Sequence, residues 1–513
     1  MHKFVLAFLF SVSLTSIDAQ PLMQWKKCFG GSNQDWAKAV QQTSDSGFVV
    51  VGFSESDDGD VGGNYGHADL WIVKLSSSGN IQWQNNPGGS GIECAQSVQQ
   101  TKDGGYIIAA YTTSNDGDVT GNHGNRDYWI LKLNDSGTIQ WQKCFGGSGT
   151  DWPYSIQQTI DSGYIIIGIS NSADGDVTGS HSGYDSWIVK LSSTGNIQWQ
   201  KCLGGSDGDH EHSVQQTTDS GYIVAGTTRS VDGDVSGNHG NNDFWILKLS
   251  STGIIQWQKC LGGSGNDYGE AIRQTIDGGY IAAGSSDSND GDVSYNHGQS
   301  DYWVVKLDDT GNIQWQHSFG GSDNETAYAI QQTTDSGYIV AGETASIDGA
   351  VTGNYGLADY WIVKLDNTGI TEWKECMGGS AYDEANAIQQ TFDKGFIIAG
   401  FSESTNGEVT GNHGDRDFWL VKTLPDEIVG IGENRTQSFE IYPNPATEFL
   451  TIHCRETKEF SIQLINLFGQ IVYSDEIHSG QMPIDVRNYA QGVYFVKMET
   501  VGYVKTEKVF FMN

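Results

Sequence analysis

The chain has 513 residues, of which 67 are glycine and only 7 are proline, and its 63 acidic and 28 basic side chains give a formal net charge of −35. A charge of this sign and size repels phosphate backbones and anionic lipid, so we expect no nucleic-acid partner. Many glycines among Thr, Val, Ile, Tyr and Trp favour short strands joined by tight turns, and no stretch has the pattern of a long amphipathic helix.

The N-terminal segment has the pattern of a secretory signal peptide. A basic start at His2 and Lys3 precedes an apolar run over residues 4–14, and the small residue Ala19 stands before the expected cleavage point. We therefore assign residues 1–19 to a signal peptide. No later apolar run approaches the roughly 18 residues that a membrane helix needs, so we predict no transmembrane segment in the mature chain.

A repeat of 58 residues fills most of the remaining sequence and is present in seven copies. Two tryptophans per copy keep this spacing without insertion or deletion. A repeat of fixed period indicates one supersecondary unit that packs on its neighbours. The two tryptophan series are Trp25, Trp83, Trp141, Trp199, Trp257, Trp315 and Trp373, and Trp71, Trp129, Trp187, Trp245, Trp303, Trp361 and Trp419.

Each copy contains the pattern of four short strands. In the third copy, Asp161 and Gly163 are expected to supply the side-chain hydrogen bond and the positive φ of a tight hairpin turn, and a second turn contains Gly195. These turns separate alternating runs, and a long loop lies between the second strand and the third. Four antiparallel strands per unit are typical of one blade of a β-propeller. The predicted strands of this copy are residues 155–159, 164–170, 186–191 and 197–203.

The phase of the repeats predicts that the propeller closes on itself. The repeats begin with a fourth strand at residues 23–29 and end with a third strand at residues 418–424. Pairing of these two strands would complete the last blade and remove the open sheet edges. We therefore predict an all-β fold, with a seven-bladed β-propeller over residues 20–424 closed by three strands plus one, and we expect a monomer.

The cysteines indicate neither disulfides nor a metal site. Equivalent positions of successive repeats are farther apart than the about 4.4 to 6.8 Å between Cα atoms that a disulfide requires. We interpret these residues as small buried apolar side chains. One repeat position holds Cys28, Cys144, Cys202, Cys260 and Cys376.

The repeat stops at Pro425, and residues 425–437 have the composition of a polar linker. Residues 438–513 contain short alternating runs, including FLTIHC, FSIQLIN, QIVYSDE and GVYFVKME, which predict a small β-sandwich. Their motifs occur in the order YPNP, N-x-x-G-Q and GVYFVK, followed by two lysines. The residues that carry them are Tyr442, Pro443, Asn444, Pro445, Gly469, Gly492, Lys505 and Lys508.

This tail resembles the type A C-terminal sorting domain of the bacterial type IX secretion system. The resemblance implies entry into the periplasm, export by the type IX machinery, and cleavage of the tail with release or attachment at the cell surface. The repeats resemble those of poorly characterised secreted propeller proteins that often carry this tail. Some of these bear an endoglucanase label, but no residue of the repeats supports that label here.

Four acidic positions per repeat are expected on one face of the propeller, because the loop between strands two and three opens beside the connection between strands four and one. They contribute 26 carboxylates. The connection supplies Asp35, Glu93, Asp151, Asp209, Asp267, Glu325 and Asp383; the loop supplies Asp58, Asp116, Asp174, Asp232, Asp290 and Asp348, then Asp60, Asp118, Asp176, Asp234, Asp292 and Glu408; the position before strand three supplies Asp69, Asp127, Asp185, Asp243, Asp301, Asp359 and Asp417.

The Asp-Gly-Asp sequence in the loop is a candidate Ca²⁺ site, because Ca²⁺ takes six to eight oxygen ligands. The alternative is that these aspartates cap turns by accepting hydrogen bonds from loop amides. Ala350 and Asn406 interrupt the pattern and weaken a sevenfold metal array. No cofactor other than Ca²⁺ is indicated. The candidate ligands are Asp58, Asp60, Asp116, Asp118, Asp174, Asp176, Asp232, Asp234, Asp290 and Asp292.

An aromatic residue recurs in the same loop. Such rings stack on sugars when they are exposed, imidazoles bind transition metals, and rings of this kind also pack beneath their own loop. We take them as candidate ligand-binding residues. They are Tyr65, His123, His181, His239, His297, Tyr355 and His413.

Three functions remain open at this point. Seven similar loops favour repeated weak contacts, so the leading hypothesis is a module that binds glycans or another extracellular macromolecule through its acidic loop face. The alternative is a carbohydrate-active hydrolase or lyase, although near-identical blades argue against one specialised site. A quinoprotein-like oxidoreductase is the third hypothesis, since the hairpin at residues 306–316 has a D-x-x-G-x-x-x-W pattern.

The run from His210 to His212 lacks the spacing of the H-E-x-x-H metalloprotease motif, so no catalytic residue is assigned.

Overall fold

The computed structural model describes residues 22–425, 439–454, 460–466, 470–477, 480–500 and 503–512. The predicted signal peptide, most of the predicted linker and Gly469 lie outside the described residues. The chain divides into two compact units between residues 426 and 427, and each unit is described by itself. The described residues include no helix long and apolar enough to cross a membrane.

The first unit is a ring of seven four-stranded antiparallel sheets, as predicted. The innermost strands are β2 (Asp35–Gln42), β6 (Glu93–Gln100), β10 (Asp151–Gln158), β14 (Asp209–Gln216), β18 (Asp267–Gln274), β22 (Glu325–Gln332) and β26 (Asp383–Gln390). The second strands are β3 (Phe48–Ser54), β7 (Tyr106–Thr112), β11 (Tyr164–Ser170), β15 (Tyr222–Thr228), β19 (Tyr280–Ser286), β23 (Tyr338–Thr344) and β27 (Phe396–Ser402).

Two further strands complete each blade toward the outside of the ring. The third strands are β4 (Asp69–Leu75), β8 (Asp127–Leu133), β12 (Asp185–Leu191), β16 (Asp243–Leu249), β20 (Asp301–Leu307), β24 (Asp359–Leu365) and β28 (Asp417–Thr423). The outermost strands are β5 (Ile81–Asn85), β9 (Ile139–Phe145), β13 (Ile197–Leu203), β17 (Ile255–Leu261), β21 (Ile313–Phe319), β25 (Thr371–Met377) and β1 (Met23–Phe29).

The ring closes as the phase of the repeats predicts. Strand β1 pairs with β28, so the seventh blade has the order β1-β28-β27-β26. The junction between the seventh and first blades also carries a hydrogen bond from the Asp35 amide to the Arg416 carbonyl at 2.7 Å. The first and last repeats are therefore neighbours, and the ring has no open end.

Hydrophobic clusters lie between neighbouring blades. Trp187, like its six counterparts on the third strands, is fully buried. One cluster joins Ile167 and Ile188 of the third blade to Tyr222 and Trp245 of the fourth. The apolar burial that holds the propeller together is therefore shared across each blade junction, and one blade alone cannot supply it.

The hairpin turn between strands one and two differs in one detail from its prediction. Asp161 accepts a hydrogen bond from the Gly163 amide at 3.0 Å, as expected. The positive φ, however, lies at Ser162 (64°) and not at Gly163. Glycine is needed at position 163 because an added Cβ would stand 2.2 Å from the Leu191 carbonyl oxygen.

Strand one begins four residues earlier than predicted. The sequence places it at residues 155–159, whereas β10 spans Asp151–Gln158. A β-bulge between Pro153 and Ser155 shifts the alternation of buried and less buried residues by one position, so the two halves of the strand do not share one period-two pattern. The predictions for residues 23–29, 164–170 and 197–203 agree with the structure.

A buried lysine on each third strand ties that strand to the turn between strands one and two. The Lys190 side chain is 5% exposed, and its ammonium lies 2.9 Å from Asp161 Oδ2. It also donates to the Leu191 carbonyl and to Gln198. The sequence analysis did not identify this ion pair, because the two residues are 29 positions apart.

The cysteines of the propeller are buried and unpaired, as expected. The described free cysteines are Cys28, Cys94, Cys144, Cys202, Cys260 and Cys376.

The second unit has two sheets, with the orders β29-β30-β33 and β32-β31-β34-β35. Leu450 and Ile484 of the first sheet belong to the same buried cluster as Leu464, Val496 and Met498 of the second. This arrangement confirms the predicted β-sandwich. Its strands are β29 (Phe439–Tyr442), β30 (Phe449–Cys454), β31 (Phe460–Asn466), β32 (Ile471–Ile477), β33 (Gly480–Asp485), β34 (Gly492–Thr500) and β35 (Tyr503–Phe511).

The YPNP segment of this unit is bound to its last strand. Asn444 donates to the Lys508 carbonyl at 3.0 Å and accepts from the Phe510 amide at 2.9 Å. The Ala446 amide donates to the Phe510 carbonyl at 2.8 Å. Gly492, with a φ of 152°, begins β34. The first and last motifs of the tail are therefore parts of one folded unit.

Candidate functional site

The innermost strands of all seven blades line a central cavity of about 790 Å³, which we call the channel. Each of these strands contains a β-bulge after its third residue, as between Pro153 and Ser155 in β10. A bulge re-aims a side chain, and here the fourth residue of every innermost strand lines the cavity. The fold thus directs one side chain per blade into the channel.

This fourth position holds a different side chain in nearly every blade, although much of the repeat is constant. The two residues that end each innermost strand, by contrast, are Gln-Gln in six blades and Arg-Gln in one. The channel wall is therefore chemically asymmetric. Its fourth-position residues are Lys38, Gln96, Tyr154, His212, Glu270, Tyr328 and Asn386.

Neighbouring members of this set interact. His212 Nδ1 lies 2.6 Å from Glu270 Oε2. Burial alone lowers the pKa of His212, but the charge of Glu270 and the hydrogen bond to it outweigh burial and raise that pKa above its ordinary value. The Tyr154 ring lies against the His212 ring, with 4.5 Å between centroids. The channel thus contains an aromatic and polar wall at the third to fifth blades.

Glutamine side chains join each innermost strand to the next. Gln157 Oε1, for example, accepts a hydrogen bond from the Gln216 amide at 2.6 Å, and Gln216 Oε1 accepts one from the Ile160 amide at 2.8 Å. The same bonds close the ring, since the Gln42 amide donates to Gln389. These bonds fix the shape of the channel, so its lining is preorganised.

The second residue of each innermost strand also varies and lies at the blade junctions on the loop side of the channel. Trp36 packs on Phe401 of the preceding blade with 4.5 Å between centroids, and the Arg416 guanidinium lies 4.7 Å from the Phe401 ring. The buried Nε1 atoms of Trp36 and Trp152 have no hydrogen-bond partner among the described residues. The set is Trp36, Cys94, Trp152, His210, Tyr268, Thr326 and Glu384.

One of these junctions, between the sixth and seventh blades, holds two carboxyl groups. Glu343 accepts hydrogen bonds from the hydroxyls of Tyr382 and Tyr328, the latter at 3.2 Å. Burial, and then the charge of Glu343, raise the pKa of Glu384 to about 7 against the opposing charge of Lys38. The positions equivalent to Glu343 and Glu384 hold no other carboxylate in the seven blades.

The structure corrects the expected placement of the acidic residues. Fourteen of the 26 carboxylates, those before strand one and before strand three, are the first residues of these strands and are buried. Asp151 accepts from the Gly147 amide at 2.9 Å and from Ser172 at 2.8 Å, and Asp127 accepts from the His123 amide at 2.9 Å. They connect loops to strands at blade junctions and do not form an exposed acidic face.

The buried aspartates at the junctions, together with Glu325, have raised pKa values. Burial is the main cause, and at several of them a facing carboxylate of the neighbouring blade adds to it. The pKa of Asp35 is raised to about 6, with a contribution from Asp417, and that of Asp69 to about 6, with a contribution from Glu93. Like charges therefore oppose each other inside the propeller.

The Asp-Gly-Asp residues cap the neighbouring connection. Asp174 Oδ1 accepts from the Ser148 amide at 2.6 Å, and Asp232, Asp290, Asp116 and Asp58 make the same contact in their blades. Among the described residues, no group of three or more His, Cys, Asp or Glu side chains is placed to hold a metal ion. The predicted Ca²⁺ site thus remains a prediction, and turn capping accounts for the contacts observed.

The loop aromatics fall into two groups. Each histidine ring contacts the buried aspartate that begins the third strand of its own blade, as between His239 Nδ1 and Asp243 Oδ2 at 2.8 Å. The same contact occurs at His123, His181, His297 and His413. Tyr65 and Tyr355 instead are 75% and 70% exposed. The histidine side chains are 32% to 46% exposed, so Tyr65 and Tyr355 have the most exposed rings of the seven loop aromatics at the rim.

The sequence reasoning missed the residues of the channel. The blades are not as nearly identical as the sequence analysis assumed, because the second and fourth positions of the innermost strand vary most from copy to copy, whereas its last residues stay nearly constant. The available signal was this variation within the repeat, for example Tyr154, His212 and Glu270 in consecutive copies of one position. Its meaning depends on the bulge that turns the position into the channel.

Comparison with known proteins identifies the tail. The family described as "Secretion system C-terminal sorting domain" matches residues 440–512. The chain is 26% identical over 296 residues to regulatory protein FlaEY of Caulobacter vibrioides, covering 52% of this chain and 30% of that protein. It is 27% identical over 97 residues to ulvan lyase NLR42 of Nonlabens ulvanivorans, covering 18% of each. The chain thus spans less than a third of the length of these relatives.

Among solved structures, the chain is similar to PorZ of Porphyromonas gingivalis, which is a surface component of the type IX secretion system. The two share 9% identity with a TM-score of 0.22, and the match covers 95% of this chain and 100% of that one.

The sorting domain at residues 440–512 marks the chain for export by the type IX secretion system. The protein therefore reaches the cell surface or the extracellular space, as the tail motifs predicted.

Proposed function

We propose that this exported propeller is a binding module for a glycan or another extracellular macromolecule, and that the ligand enters the central channel. The observation that carries the proposal is the asymmetric set of side chains that the bulges direct into the cavity. A scaffold role requires only the constant positions of the repeat. Different groups around one cavity are instead suited to recognise one ligand in one orientation.

The chemistry of the wall favours a polyhydroxylated ligand. Tyr154 and Tyr328 supply ring surface and hydroxyls, and Gln96 and Asn386 supply amides that both donate and accept hydrogen bonds. Sugars present apolar ring faces together with hydroxyls and match this combination. The exposed rings of Tyr65 and Tyr355 would supply secondary contacts at the rim for a longer chain.

A glycan array and a pull-down from extracellular material, both with the purified mature chain, test this function. We expect retention of a defined glycan or macromolecule by the wild-type protein and at least tenfold weaker retention by Tyr154→Ala. The matched control is Tyr295→Ala, which removes an exposed loop tyrosine of the same propeller. Failure of every probe to bind, with turnover of a polysaccharide by the same preparation, would contradict the proposal.

A carbohydrate-active hydrolase is the second candidate function, and the pair Glu343 and Glu384 favours it. A carboxyl group with a raised pKa donates a proton to a glycosidic oxygen as the C–O bond breaks. The second carboxylate takes a proton from the water whose oxygen bonds to the anomeric carbon. Glu384 would be the acid, and Glu343, which accepts two tyrosine hydrogen bonds, would be the base.

Reducing-end release from a polysaccharide panel tests this second function. We expect wild-type activity to fall at least about a hundredfold in Glu384→Gln and in Glu343→Gln, because each lacks one proton-transfer group. The control Asp309→Asn removes an exposed carboxylate of the propeller and should retain activity. Absence of release from every polysaccharide, or release that survives both substitutions, would exclude a hydrolytic role for this pair.

A further inference from the structure

The seventh residue of each innermost strand presents hydrogen-bond donors to the channel. In six blades this residue is a glutamine whose carboxamide oxygen accepts from the backbone amide of the next innermost strand. The oxygen is thus occupied, whereas no hydrogen bond of the NH₂ group occurs among the described residues. The six glutamines, Gln41, Gln99, Gln157, Gln215, Gln331 and Gln389, all line the cavity.

The fifth blade has Arg273 at this position, and its guanidinium has no counter-charge among the described residues. One of its nitrogens donates to Ser213 Oγ at 2.9 Å and to the Ile272 carbonyl at 2.7 Å. No carboxylate of the described part of the chain lies within ion-pair distance of it. Arg273 lines the same cavity, and burial alone lowers its pKa, yet an arginine side chain remains protonated in proteins.

These seven residues, which we call the donor ring, therefore combine one positive charge with amide donors, while their carboxamide oxygens are already occupied. Partly buried cations without a partner are unfavourable, and an anion that bonds to the guanidinium removes this penalty. In a chain of net charge −35, such a surface is unusual. An anionic polymer is repelled by most of the protein, so the favourable place for its charged group is the channel.

We propose that the donor ring binds the anionic group of an acidic glycan, a uronate carboxylate or a sulfate ester, with Arg273 as its ion-pair partner. The ring of Tyr154 or of Tyr328, which line the channel at the third and sixth blades, would pack on the sugar ring that carries the group. This inference rests on the proposed function, because it names the chemical class of the ligand in the same channel. It favours a glycan over a peptide because the fourth-position residues supply rings and amides suited to a sugar.

The repeat itself supplies the test variant. Arg273→Gln installs the residue of the other six blades and allows the missing bond to the Gln332 amide, so the propeller should fold and be at least as stable as the wild type. Arg229→Gln removes an equal charge from an exposed loop and is the matched control. Binding of oligogalacturonate, a sulfated galactan oligosaccharide and a neutral galactan oligosaccharide would be measured by calorimetry with the full mature chain.

We expect Arg273→Gln to weaken binding of at least one of the two anionic oligosaccharides tenfold or more, while Arg229→Gln leaves the affinity unchanged. The anionic oligosaccharide that is affected distinguishes the carboxylate from the sulfate. Equal affinity of the wild type and Arg273→Gln for both anionic oligosaccharides would overturn this inference. Retained binding of the neutral oligosaccharide in that case would leave the proposed function standing, whereas binding of no oligosaccharide would count against both.

Discussion

Asp359→Asn is expected to make the protein more stable than the wild type at pH 8 and to give a clearly smaller gain in stability at pH 5. Asp359 is fully buried at the start of β24, and its Oδ1 has no partner among the described residues. Burial, and then the charges of Asp383 and Glu408, raise its pKa to about 7 against the hydrogen bond from the Tyr355 amide. Asparagine keeps an acceptor for that amide and carries no charge.

The direction in which pH changes the stability of the wild type follows from proton binding by Asp359. The folded-state pKa of Asp359 lies above the unfolded value of about 3.8, so between these values the folded state binds more protons. The stability of the wild type therefore falls as pH rises through this window, and the loss is complete above the folded pKa. A difference of about 3 pKa units corresponds to about 4 kcal/mol at pH 8, which is an upper bound for the gain from asparagine.

Denaturant unfolding at pH 5 and pH 8 measures this effect, and Asp161→Asn is the control of opposite sign. Burial opposes ionisation of Asp161, but bonds from Thr159, Lys190 and Gly163 outweigh it and lower its pKa to about 2. That contribution is present above about pH 4 and is lost as pH falls toward 2, so Asp161→Asn should destabilise at pH 8. Lower stability of Asp359→Asn at pH 8 would contradict the account of the buried acids.

Removal of residues 438–513 is expected to abolish appearance of the protein at the cell surface. The sorting domain lies in this segment, and without it the type IX machinery has no signal to engage. The propeller is a separate compact unit and should remain folded in the periplasm. Surface proteolysis and fractionation of cells that express the two forms measure the loss.

Two controls accompany the truncation. The thermal unfolding of the truncated chain should show one cooperative transition, which excludes misfolding as the cause of retention. A full-length chain with the exposed substitution Glu448→Gln should be exported like the wild type. Surface exposure of the truncated chain would contradict the sorting assignment.

Most of the fold could be predicted from the sequence, because the strand and turn pattern of one blade occurs seven times. A strand that is uncertain in one copy can be assigned from the others, and the phase of the copies predicts the pairing of β1 with β28. The predicted strand one lacks its first four residues, because the bulge at residues 153–155 puts the two halves of the strand out of phase with each other. A one-residue insertion in a ladder cannot be recognised from the sequence pattern alone.

The candidate site could be predicted much less well. Residues that recur in every copy have structural roles, such as the cap made by Asp174 and the contact of His239 with Asp243. The carboxylates before strands one and three look like loop residues in the sequence, and only the three-dimensional pairing of blades shows that Asp35 faces Asp417. The channel set depends on the ring, which brings together positions 58 residues apart.

The central claim is that the ligand binds in the central channel. A comparison of ligand affinity between a channel variant and a rim variant tests this claim most directly. The channel variant is Tyr154→Ala with Tyr328→Ala, and the rim variant is Tyr65→Ala with Tyr355→Ala. We predict that titration calorimetry with the full mature chain will show at least a tenfold loss of affinity in the channel variant and less than a threefold loss in the rim variant. The reverse order would place the ligand on the loop face and contradict the channel as its site.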